Sequence, residues 1–73
     1  MLDIRKAVLT SSRPHWCKVS MIIFRASEIL GVADERNYEL IAQEIASLVA
    51  DGELEAVGDI SQWRYSEVRL PPA

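Results

Sequence analysis

YELIAQEIASLVADG, residues 38–52, decides how this chain folds. Tyr38, Ile41, Ile45, Leu48 and Val49 recur at the three-and-four spacing that lines apolar side chains along one face of a helix. Glu39, Gln43, Ser47 and Asp51 fall off that stripe and belong to a solvated side. Gly52 suits the left-handed residue that closes a helix, and an alternating segment, ELEAV, follows at once. In ELEAV, Leu54 and Ala56 share a face. In YSEVRL, Val68 and Leu70 point inward while Tyr65, Glu67 and Arg69 point outward. A helix that runs into a two-stranded hairpin is the ending of a winged helix-turn-helix.

Upstream, MLDIRKAVLT reads as a short helix, with Ile4, Val8 and Leu9 apolar and Asp3 as cap. SSRP breaks it, and Pro14 marks a restart capped by Ser12 or Arg13. From His15 to Leu30 the spacing is helical again, with a stripe of Trp16, Val19, Ile22 or Ile23, Ala26 and Leu30. Gly31 ends this helix, Val32 to Arg36 form a turn, and Asp34 or Asn37 caps the next one. The expected architecture is α+β and mainly α. Three helices (about 3–10, 14–30 and 36–51) precede a hairpin (about 53–57 and 65–70) in a single winged-helix-like domain spanning 1–73. Between the hairpin strands, Asp59 and Gln62 have capping-box spacing, which predicts a single helical turn at the tip of the wing. Leu70-Pro71-Pro72 stops the last strand.

A chain of 73 residues is one domain. At that size only about 60% of the unfolded surface is buried, so stability is modest. Hydrophobic residues make up 49% and charged residues 26%, a composition that folds and stays soluble. No apolar run approaches the roughly 20 residues of a membrane span, and MLDIRKAVL lacks the features of a secretory leader, so the expected location is cytoplasmic. One cysteine gives no internal disulfide, and Cys17 with His15 is too little for a metal site. Two residues apart on a helix, these side chains diverge and make no nucleophile–base pair. With no phosphate loop and no nucleophile elbow, neither an enzyme nor a cofactor is expected.

Charge is ordered along the chain. Residues 1–27 balance to +4, residues 28–59 to −8, and the remainder to +1, for a net −3. A helix that enters the major groove carries Lys, Arg, Asn or Gln on its outer face. Here that face offers Glu39, Gln43, Glu44 and Ser47, whose carboxylates are repelled by phosphates. Nucleic acid is therefore the less favoured partner. A DNA-binding regulator is the alternative, and it would rely on Arg5, Lys6, Arg13, Lys18, Gln43 and Arg64.

The second helix carries a further apolar line of Cys17, Met21 and Phe24. Two readings are open: a central helix covered on several sides, or a face turned to a partner, most simply a second copy in a homodimer. Trp16 lies on the stripe and reads as core. Trp63, in a projecting loop, either folds back on the first helix or serves as a contact residue. Cys17, Met21, Phe24 and Trp63 are thus the candidate partner-binding residues.

At WCKVSMII and DGELEAVGDISQWRYSEVRLP, the chain resembles a bacterial domain-of-unknown-function family, over roughly residues 14–71. The ordered pattern G-E-L-E-A, G-D-I-S, S-E-V-R-L-P is the specific part. The resemblance implies a helical domain with a terminal hairpin and brings no activity and no functional residues. The functional expectation is a small bacterial protein that works by binding another protein.

Overall fold

The computed structural model describes residues 3–31 and 34–72. Three helices, α1 (Ile4–Ser11), α2 (Val19–Leu30) and α3 (Glu35–Ala50), pack on one another and on a three-stranded antiparallel sheet. Its strands are β1 (Cys17–Lys18), β2 (Glu55–Val57) and β3 (Glu67–Arg69), in the order β1-β3-β2. The α+β, mainly helical class expected from the sequence is the class observed.

Local chemistry sets most helix ends. Asp3 caps α1 by accepting from the Lys6 amide at 3.0 Å, and Asp34 caps α3 by accepting from the Asn37 amide at 2.9 Å. At the far end of α3, Gly52 sits at φ +80°. The Glu53 amide donates to the Leu48 carbonyl and the Gly52 amide to that of Val49, the paired closure that satisfies the last turn. Gly31, at φ +73°, ends α2. Residues Val32 and Ala33 of the expected turn lie outside the described residues.

The expected helix over 14–30 is corrected. Only Val19–Leu30 is helical, and Cys17–Lys18 forms β1, with Cys17 opposite Val68 and Lys18 opposite Glu67. Neither Ser12 nor Arg13 caps this helix. Its N-cap is Lys18, with extended backbone and no side-chain cap, and the first helical amide, Val19 N–H, donates to the Ser66 carbonyl at 3.0 Å. A backbone carbonyl remote in sequence, just before β3, thus does the work of a capping side chain. The Leu70 amide also donates to the Arg13 carbonyl at 2.8 Å, so β3 ties down the whole segment before α2.

The hairpin is shorter than expected, Glu55–Val57 and Glu67–Arg69, with Ala56 opposite Val68. Its loop also differs. The Gln62 amide donates to the Asp59 carbonyl, and a 3-10 turn follows at Trp63–Tyr65. The Asp59 carboxylate accepts from the backbone and hydroxyl of Ser61, at 3.0 and 2.6 Å, rather than making a capping box with Gln62. These two bonds hold its pKa below the ordinary carboxylate value, the hydroxyl contributing most.

The core is one cluster. Ile41, Ile45 and Leu48 of α3 meet Ile22, Ile23, Ala26 and Leu30 of α2, Ala7 and Val8 of α1, and Val19, Leu54 and Val68. The stripe expected on α3 is therefore the buried one, with Tyr38 and Val49 at its margins. Arg5 of α1 reaches across to Glu44, Asp51 and Glu53, and its guanidinium pKa rises, mainly through the hydrogen bond to Glu53.

Candidate functional site

Cys17, Met21 and Phe24 do not form one line. Met21 and Phe24, three apart on α2, are 47% and 54% exposed on its solvent side. Cys17 precedes the helix, lies in β1 and packs against the core, its thiol 3.6 Å from the His15 carbonyl. Trp16 is corrected as well. It is 40% exposed and is not core, because a residue next to Cys17 on a strand points to the opposite face. There the Arg69 guanidinium covers its ring at 4.5 Å while pairing with Glu55 at 2.7 Å.

Trp63 is half-buried against the core, carried by a turn that packs on α2 and β1 rather than on the first helix. The Arg64 guanidinium stands over its ring at 4.7 Å. The next residue, Tyr65, is 82% exposed. Between this turn and α3 runs a groove of about 300 Å³, lined by Glu39, Ser61, Gln62, Trp63, Arg64 and Tyr65. Glu35 and Tyr38 extend it along α3. The groove was not legible in the sequence, because it exists only where a loop after the hairpin's first strand folds back to α3. Its sequence signals were Trp63, named as a candidate contact residue, and the outward phase of Tyr65.

The residues proposed for nucleic acid lie apart. Arg5 is engaged by three carboxylates at the C-terminal end of α3. Arg13 turns its Nη1 to the carbonyls of Thr10 and Ser12, each at 3.0 Å. Arg64 stacks on Trp63 beside Glu39, and Lys18 sits opposite Glu67 in the sheet. Lys6 and Gln43 are exposed on two different helices, α1 and α3.

Among the described residues, no group of three His, Cys, Asp or Glu is arranged to hold a metal ion, and no helix is long and apolar enough to cross a membrane. The fold and surface define a small α+β domain with exposed apolar side chains on α2 and an aromatic turn packed beside it. No family model, curated protein or solved structure matches the chain.

Proposed function

We propose that this chain is a winged-helix-like bacterial module that acts in the cytoplasm by binding another protein and carries no catalytic activity. The element order α1-β1-α2-α3-β2-β3, with the first strand completing the sheet of the terminal hairpin, supports the winged-helix reading. The observation that carries the binding role is the exposure of Met21 and Phe24 on α2 together with Tyr65 on the turn that packs against that helix. Large apolar and aromatic side chains left in water on adjoining elements mark a contact surface, and Tyr, Trp and Arg are the residues that dominate such contacts.

Phe24→Glu tests this. Phe24 is outside the core, so the variant keeps the wild-type melting temperature within a few degrees. If the partner is a second copy, wild type sediments as a dimer at high micromolar concentration and the variant as a monomer. If it is another protein, wild type is monomeric and retains from its native cell extract a protein that the variant loses. A monomeric wild type whose retained proteins are unchanged by Phe24→Glu refutes the role of this face.

The DNA-binding alternative has one observation in its favour. Arg5 neutralises Glu44, Asp51 and Glu53, so α3 is less acidic in the fold than in the sequence. Glu35 and Glu39 remain exposed on α3. Salt-sensitive micromolar binding of mixed duplex DNA in a gel shift would favour that alternative.

A further inference from the structure

Next to this face, where Arg25 and Glu28 follow Met21 and Phe24 by one helical turn, α1 and α2 pack together and leave a shallow cleft of about 320 Å³, lined by Thr10, Ser11, Arg13, Arg25, Glu28 and Ile29. Arg25 is half-buried, and its Nη1 is fully buried without a hydrogen-bond partner among the described residues. Among the described residues, no ion pair involves it. A partly desolvated guanidinium with no counter-charge is costly, and most such groups in proteins are paired. Two other arginines of the fold are paired: Arg5 has three carboxylates and Arg69 has Glu55.

Arg13, on the same cleft, is already positioned. Its Nη1 is held by two backbone carbonyls, which leaves the rest of its fork to donate elsewhere. Two guanidinium groups, one held in place and one unpaired, are the donor set that recognises a carboxylate or phosphate. Glu28 lines the cleft without coming within ion-pairing distance of either arginine, so it is a competitor that an incoming anion must overcome. The space is about ten times the liquid volume of a water molecule, more than a bare inorganic anion fills. Ile29, exposed at its edge, supplies an apolar wall. We propose that the α1–α2 cleft is a binding site for an oxyanion carried on an apolar group, held by Arg13 and Arg25 and opposed by Glu28.

The test is an NMR titration of the intact chain that follows the arginine Nε–H resonances. The probes are phenyl phosphate, benzoate and inorganic phosphate, with benzyl alcohol as the neutral control. The site predicts saturable shifts at Arg13 and Arg25 with phenyl phosphate or benzoate, weaker ones with inorganic phosphate, and none with benzyl alcohol. The tighter of the two aromatic anions identifies phosphate or carboxylate as the chemistry it takes. Arg25→Gln and, should that variant fold poorly, the exposed Arg13→Gln each weaken binding. Glu28→Gln tightens it by about threefold or more, since it removes a like charge, and that gain shrinks with added salt. A counter-ion for Arg25 would behave oppositely on neutralisation. Absence of saturable shifts, equal shifts with benzyl alcohol, binding that survives both arginine substitutions, or a Glu28→Gln variant that binds no tighter overturns the proposal.

Discussion

Replacing Ile45 by alanine tests the interior of this fold at its centre. Ile45 is 0% exposed on α3, between the Ile41 and Leu48 positions of the buried stripe. The change removes three side-chain carbons, worth about 2.4 kcal/mol at roughly 0.8 kcal/mol per buried methylene. The unfilled cavity adds to this and brings the total into the range of about 2–5 kcal/mol. A chain of 73 residues has a folding free energy of about 4–11 kcal/mol at typical per-residue stability, so this one substitution consumes a large share of it. At about 4–8 °C per kcal/mol, the melting temperature falls by roughly 8–40 °C. The neighbouring Glu44 is the control. It is partly exposed, 3.5 Å from Arg5, and Arg5 keeps two other carboxylates without it, so Glu44→Ala costs under about 1 kcal/mol. Thermal and urea unfolding followed by circular dichroism measure both, with matching urea slopes confirming that the unfolded states compare. Equal destabilisation of the two variants, or a larger loss for Glu44→Ala, would mean that α3 is rotated from the orientation described and would refute the packing argument.

Three further outcomes are expected. Gly52→Val destabilises by more than about 1 kcal/mol and Gly52→Asn by less. Among the described residues no atom beyond the chain neighbours lies within 4 Å of an added Cβ, so the cost is the positive φ, which Asn tolerates and a β-branched residue does not; equal melting of the two would contradict this. Arg5→Ala lowers the melting temperature, and the difference narrows in 1 M salt as screening weakens its exposed ion pairs in the wild type; a salt-independent loss would point to packing of the arginine stem instead. Asp59 titrates below the ordinary value of about 3.9, and Ser61→Ala moves its midpoint back up, as read by carboxyl carbon NMR. Because the folded value is depressed, the turn's stabilisation is present above the ordinary Asp range and is lost as pH falls through the lowered midpoint; an unmoved midpoint in Ser61→Ala removes the hydroxyl as cause.

The sequence by itself determined what depends on near neighbours. The α3 stripe, the Asp3 cap, a cap for α3 at Asp34 or Asn37 (Asp34 in the fold) and the helix stops at Gly31 and Gly52 follow from side-chain periodicity and from backbone preferences that act within one turn. The alternation of Leu54, Ala56, Val68 and Leu70 likewise gave the hairpin its inward face. Tertiary structure decided what depends on a partner far along the chain. Cys17 and Lys18 looked helical because the segment from His15 continued the spacing of α2, yet β3 offered their backbone a ladder and Ser66, the residue before it, capped α2. That pairing turned Trp16 outward onto Arg69 and drew Cys17 inward, which parted Cys17 from Met21 and Phe24. The same holds for the surface. Arg5 meets Glu53 and Arg13 shares a cleft with Arg25 only once the helices have packed, because charges separated in sequence have no fixed distance until the chain between them folds.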